Sequence, residues 1–224
     1  GLGDVYKRQL QQHAVIVPPK LRLVSLIALL RRSLPRTADA ETVGAARIVV
    51  FFSCTDSVDF HWRALGGAKM RSSSADAADS TADDAATTPP LAQHSDLLPG
   101  APIYRLHGSM TQTERIASLR AFHQLTDGTD APPARRGGVL LCTSVASRGL
   151  DLPDVRCVVQ MDVPTEGVEE YVHRVGRTAR AGRQGTSWLL LLPHEKVWLT
   201  TLAQRMVVAS ERPGAPPRSP TIHT

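Results

Sequence analysis

Aromatic residues make up only 4% of the 224 residues, so any core must be packed from aliphatic side chains and alanine. Cysteine is scarce too. Cys54, Cys142 and Cys157 are odd in number and lack C-x-x-C spacing, which argues against a disulfide framework or a zinc site. Each adjoins an apolar stretch, and three buried thiols are expected. No run approaches the ~18 uncharged apolar residues of a membrane span. The apolar "VSLIALL" at 24–30 is flanked by Arg22 and by Arg31 and Arg32, with no small-residue cleavage site, so neither an anchor nor a signal peptide is expected. The eight histidines are too scattered for a metal site, and no G-x-x-x-x-G-K-[ST] phosphate loop occurs.

What is present is a basic chain with an aliphatic interior. Hydrophobic content is 42% and net charge is +5, enough for one sizeable core and suited to a polyanionic partner. Residues 66–101 conceal part of the basic character: the stretch holds five aspartates against Lys69 and Arg71 and is rich in Ala, Ser and Thr. Such a composition buries too little to fold alone, so a disordered insertion is expected there. The opening "GLGDVYKRQ" has no periodicity, and residues 1–10 are expected to be a cloning or sequencing scar. A loop is expected at 126–138 and a disordered tail at 209–224.

Between these segments apolar strands alternate with helices. "AVIVPP" (14–19), "RIVVFFS" (47–53), "IYRLHG" (103–108), "GVLLCT" (138–143), "RCVVQMD" (156–162) and "TSWLLLLP" (186–193) read as strands. Continuous apolar runs of this kind suit strands buried on both faces. Helices are expected over 20–32, 56–65, 111–124, 167–176 and 195–207, the third opened by a capping box of Thr111 and Glu114. The expected fold is α/β, a single domain with a parallel sheet flanked by helices on both faces over 11–208. Functional groups should lie in loops at the strands' carboxyl ends.

Three such loops carry chemistry. In "LLCTSVASRGLDLPDV" (140–155) a strand ends at Cys142, followed by Thr143, Ser144, Arg148, Gly149 and Asp151. Free backbone N–H groups and a hydroxyl past a strand suit phosphate oxygens; an ordinary strand-to-loop turn with an Asp cap reads equally well. "LHGSMTQTER" (106–115) sets Gly108 before a helix start and Gln112 and Arg115 on one helical face, although a capped surface helix would look the same. "YVHRVGRTARAG" (171–182) places Arg174, Arg177 and Arg180 at a spacing of three among small residues. Gly176 and Gly182 make it a poor solvated helix, each costing about 1 kcal/mol. Clustered guanidinium groups suit a polyphosphate whose charge must be neutralised during transfer.

Taken together and in order, these stretches resemble the C-terminal RecA-like lobe of a DEAD-box RNA helicase. "RIVVFFSCTDSVD" resembles the strand motif opening that lobe's core, "HGSMTQTER" its glycine and Q-x-x-R motif, "TSVASRGLD" its T-D-x-x-x-R-G-x-D motif, and "YVHRVGRTARAG" its H-R-x-G-R-x-G-R motif. No D-E-A-D occurs in the chain. The resemblance implies that Arg177 and Arg180 reach the ATP γ-phosphate across a cleft between two lobes, that Asp151 with Gly149 contacts the nucleotide, and that His173 couples the sites. It implies RNA phosphate contacts from Gly108, Arg115, Thr143 and Arg148, with Gln112 supporting that surface. Contacts of that kind carry no base code. ATP and Mg²⁺ would be the cofactors, Mg²⁺ held mainly by an N-terminal RecA-like lobe not contained in this chain.

The resemblance further implies a monomeric fragment, inactive alone, that pairs with that lobe and with RNA and not with a membrane. "GRTAR", "GLDLP" and "PPKLRLVSL" look most like nucleolar members acting in ribosome biogenesis, which implies the nucleus and nucleolus. Two positions depart from the pattern. Ser144 stands where the family usually has aspartate, and Ala179 where it has a second glycine. The rival readings are a non-catalytic RNA-binding or scaffolding lobe, favoured by Ser144, and a DNA helicase lobe of the same superfamily.

Overall fold

Among the described residues, seven strands form one parallel sheet: β1 (Leu10–Ile16), β2 (Ala46–Phe51), β3 (Ile103–Leu106), β4 (Gly137–Cys142), β5 (Cys157–Gln160), β6 (Gly185–Leu191) and β7 (Thr221–His223). Their order across the sheet is β3-β4-β2-β5-β6-β1-β7, and every pairing between them is parallel. The computed structural model describes residues 10–34, 46–68, 90–125, 137–144, 152, 155–179, 184–210 and 221–223.

The central strands are apolar at successive positions because both faces are covered. From β2, Ile48 and Val50 point into one core with Leu26 and Leu30 of α1 (Arg22–Ser33) and Val58, Trp62 and Leu65 of α2 (Thr55–Leu65). Val49 and Phe51 point the other way, to Phe122 of α3 (Gln112–His123). Further along that second face, Tyr171 and Val175 of α4 (Val168–Val175) and Leu199 and Leu202 of α5 (Val197–Ser210) cover Ala14, Leu189 and Leu191. Full burial of a side chain such as Leu26 or Leu30 contributes roughly 1.5–3 kcal/mol.

The helices begin where the sequence places their signals. Thr111 caps α3 through its hydroxyl, which accepts from the Glu114 amide at 3.3 Å, while the Glu114 carboxylate accepts from the Thr111 amide at 2.8 Å. That reciprocal hydrogen bonding holds the Glu114 carboxyl below the usual carboxylate range. Pro18 and Pro19 end the β1 segment and lead through a 3-10 turn, Pro19–Leu21, into α1.

Several segment boundaries differ from expectation. Residues 90–101 are folded, not part of a disordered insertion: Gln93 and Ile103 exchange backbone hydrogen bonds of 2.9 and 2.8 Å, and Leu98 and Ala101 are buried. The reason is local. β3 is an edge strand, and Gln93 covers part of its open edge. Gly67 and Ala68 also bond backbone to backbone with His94 and Asp96. Residues 69–89 of the expected insertion lie outside the described residues.

The tail expectation is corrected at its described residues, since α5 runs to Ser210 and β7 pairs with β1 over Thr221–His223; residues 211–220 lie outside the described residues. Leu10, expected within the scar, opens β1 opposite Gly185. Gly137, expected in a loop, begins β4 opposite Ala46, one residue before the expected strand start at Gly138. Cys142 and Cys157 are buried, but Cys54 is exposed, its thiol bonded to Ser57 at the start of α2. Burial pushes the Cys157 thiol up to about 11 and the Cys142 thiol higher still.

Candidate functional site

Strands β3 and β4 are neighbours and end together, so the residues that follow them share one edge of the sheet. The Thr143 amide donates to the Leu106 carbonyl at 3.2 Å, which fixes the start of one loop against the end of the other strand. Thr143 is buried and Gly108 is exposed.

The turn between β3 and α3 is held from outside by a carboxylate. Asp59 of α2 accepts from Arg105, whose guanidinium lies 4.3 Å above the Trp62 ring, and stands 3.3 Å from Nε2 of the buried His107. One acid thereby anchors the residues on both sides of Leu106, just ahead of Gly108. Gln112 is exposed and Arg115 half-buried on the first turns of α3. The Nε of Arg115 is buried without a hydrogen-bond partner. A guanidinium beside the positive end of a helix, behind an exposed glycine, suits a phosphate.

Arg174 and Arg177, three residues apart at the end of α4, do not act alike. Arg174 points inward: it is 1% exposed, pairs with Glu170 at 2.7 Å, donates to the Ser144 hydroxyl at 2.8 Å, and lies 5.1 Å from the Phe51 ring centroid. Ser144 in turn donates to Glu170. The other Glu170 oxygen accepts from the Glu166 amide at 3.0 Å. Arg174 is therefore a structural tie between α4 and the loop after β4, not a phosphate ligand as the arginine cluster suggested.

Arg177 follows α4 and is half-buried, and His173 is exposed on the helix. The chain here is pinned to the segment before β5: the Val155 amide donates to the Arg177 carbonyl at 3.2 Å, and the Thr178 hydroxyl donates to the Val155 carbonyl at 2.6 Å. Ala179 then adopts φ 58°, a left-handed conformation that alanine takes at a cost of roughly 1–2 kcal/mol. The glycine usual at this position is thus explained by the backbone. Arg148, Gly149, Asp151 and Arg180 lie outside the described residues.

Thr143, Ser144 and Arg174 are brought together, with Gly108 at the adjoining strand end. Sequence reading missed Asp59 and Glu170. Glu170 left a signal, an acid four residues before an arginine on one helix. Asp59 left none, because its partners are 46 and 48 residues away. At the ends of β2 and β5, Asp162 accepts from Arg22 at 2.8 Å and from the Ser53 amide at 3.0 Å, tying α1 to the same end of the sheet.

Comparison with known proteins bears on this arrangement directly. Residues 80–182 match the helicase conserved C-terminal domain. The chain is 54% identical over 212 residues to an ATP-dependent RNA helicase DBP7 of Mycosarcoma maydis, covering 90% of this chain and 22% of that protein. It is 40% identical over 236 residues to the protein of that name in Cryptococcus neoformans, covering 92% of this chain and 24% of the relative. This chain is a C-terminal lobe of the DEAD-box RNA helicase family. The lobe spans about a quarter of the length of those curated relatives.

The fold agrees. The lobe superposes on the E. coli DEAD-box protein SrmB, solved bound to the regulator RraA, with a TM-score of 0.62 at 22% identity, covering 96% of the lobe and 91% of that chain. Against Mss116p helicase domain 2, solved bound to an RNA duplex, the TM-score is 0.61 at 21% identity, with coverage of 96% and 64%. The architecture is RecA-like.

Proposed function

We propose that the lobe supplies half of an ATP-driven RNA-remodelling site. Gly108, Gln112, Arg115, Thr143 and Arg148 face the RNA backbone; Gly149, Asp151, Arg177, Arg180 and His173 serve the nucleotide. The single observation that carries the reading is the joining of the two motif loops at one sheet edge, through Thr143 and Leu106, with α4 tied to the same loop by Arg174 and Ser144. A rigid link of that kind lets occupancy beside Arg177 and occupancy beside Thr143 be felt by one another. Backbone contacts make RNA binding independent of sequence and steeply dependent on salt.

ATP, when bound, supplies the phosphoanhydride whose cleavage drives the cycle. This lobe's part is to bring guanidinium groups to the charge that develops on the transferred phosphoryl, as an arginine finger does. Mg²⁺, when bound, would neutralise charge on the nucleotide's phosphates. The metal would be held by an N-terminal RecA-like lobe, the expected partner in a monomeric two-lobe enzyme. Assignment to ribosome biogenesis in the nucleolus rests on the sequence resemblance.

The scaffold reading drew on Ser144, and the structure removes much of its force. The Ser144 hydroxyl is fully engaged with Glu170 and Arg174, so the missing aspartate leaves no gap. The test joins this lobe to an N-terminal lobe and measures ATP turnover with RNA and with DNA. Stimulation by RNA, none by DNA, and no turnover by the lobe alone are expected. Equal stimulation by DNA would support the DNA-helicase reading, and no stimulation at all the scaffold reading.

A further inference from the structure

At the opposite pole of the sheet, where the strands begin, the alternation of side chains leaves a polar floor. Gln11 of β1, Thr186 of β6 and Cys157 of β5 are register partners in one row on the α1 face, with the paired His13 and Trp188 in the next row. α1 covers this face with Leu26 and Leu30 and ends at Ser33, over the Cys157 of the first row. The result is a cavity of about 140 Å³, walled by Arg32 and Ser33 on one side and Arg156 on another, with the His13 and Trp188 rings stacked 4.3 Å apart along its edge.

Two arginines, Arg32 and Arg156, thus line one small cavity whose lining includes no described carboxylate. Arg32 alone would be ordinary, since a cation in the last turn offsets the negative end of a helix. Arg156 has no such excuse: it precedes a strand, and both side chains are exposed. Convergence of like charges is unfavourable without an anion between them. The floor adds donors and no charge. The Ser33 hydroxyl makes only a 3.5 Å contact to the Cys157 sulfur, and burial keeps that thiol protonated near neutrality. Thr186 lines the same floor. A cavity of this size admits a tetrahedral oxyanion and is too small for a peptide segment.

We propose that this cavity is a phosphate-binding site, distinct from the RNA-facing edge and at the other end of the strands. Arg32 and Arg156 supply charge-assisted hydrogen bonds, and Ser33 and Thr186 supply hydroxyl donors. The phosphate comes either from an RNA strand passing round the lobe or from a free polyphosphate, and the experiment separates the two.

The indole N–H signals of the whole chain are followed by NMR, with Trp188 assigned through Trp188→Phe. Titration with sodium pyrophosphate is expected to move the Trp188 signal saturably, and Arg32→Gln with Arg156→Gln to abolish the shift. Thr186→Val, which leaves both charges in place, is expected to weaken binding about tenfold, the loss of one hydrogen bond to a charged group. A short single-stranded RNA is titrated into Arg115→Ala, whose other face is weakened. A Trp188 shift in that arm identifies RNA as the source; a shift with pyrophosphate alone identifies the free ligand. No saturable Trp188 shift with either probe, or an undiminished shift in the double variant, would overturn the proposal.

Discussion

Glu170 and Arg174 form an ion pair 2.7 Å apart that is almost wholly withdrawn from solvent, and Ser144 hydrogen-bonds to both. A buried pair of this kind is costly to break from one side, because the remaining charge is left uncompensated. Glu170→Ala is therefore expected to destabilise the lobe by about 3–5 kcal/mol in urea unfolding. Ser144→Asp, which restores the family's usual residue, would set a second carboxylate against Glu170 and is expected to cost about 1–3 kcal/mol. Combining it with Glu170→Asn moves the charge instead of doubling it, and most of that loss should return. A double variant no more stable than Ser144→Asp alone would contradict the shared role of the two positions.

Ala179 and Gly185 form a second pair with opposite requirements. Ala179→Gly relieves the left-handed backbone at φ 58° and is expected to raise the melting temperature by a few degrees, about 1 kcal/mol at most after the added freedom of the unfolded chain is counted. At Gly185 a Cβ would lie 2.2 Å from Thr178 Oγ1 and 2.5 Å from the Ala179 nitrogen. Gly185→Ala must shift backbone at the start of β6 and is expected to cost about 1–3 kcal/mol by calorimetry.

Asp59 acts from a distance, as a positioning residue, on the Gly108 turn that we propose faces RNA. Asp59→Asn keeps the shape but removes the charge shared by Arg105 and His107. RNA affinity of the lobe, measured by fluorescence anisotropy, is expected to fall several-fold, with the salt dependence of binding unchanged because no phosphate contact is lost. Arg115→Ala should reduce both affinity and salt slope.

His61 gives the lobe a dependence on pH. Burial lowers its pKa from 6.5, outweighing the hydrogen bond to the Ser57 carbonyl and the attraction of Asp162. The unfolded chain then binds the proton more readily, so stability is undiminished above 6.5 and falls as pH drops below it. Urea midpoints compared at neutral and mildly acidic pH should fall less for His61→Asn than for the unaltered lobe.

Much of the fold was legible because a parallel sheet covered on both faces demands unbroken apolar strands, and "RIVVFFS" and "GVLLCT" supply them. The α3 start was legible because Thr111 and Glu114 encode a capping box within four residues. What escaped were arrangements made across the chain. Composition could not tell that Gln93 would cover the β3 edge, or that Thr221–His223 would extend the sheet beyond β1. The spacing of three in Arg174, Arg177 and Arg180 suggested one common target. Burial separates the first two: Arg174 turns toward Phe51 and Ser144, whereas Arg177 lies beyond the end of α4 and is half-buried.

The central claim, that Arg177 and Arg180 complete a nucleotide site supplied by another lobe, is met most directly by RNA-stimulated ATP turnover of a two-lobe protein. With Arg177→Ala or Arg180→Ala, kcat is expected to fall on the order of 10³-fold while RNA affinity in the absence of nucleotide is retained. Turnover undiminished by either substitution would contradict the claim.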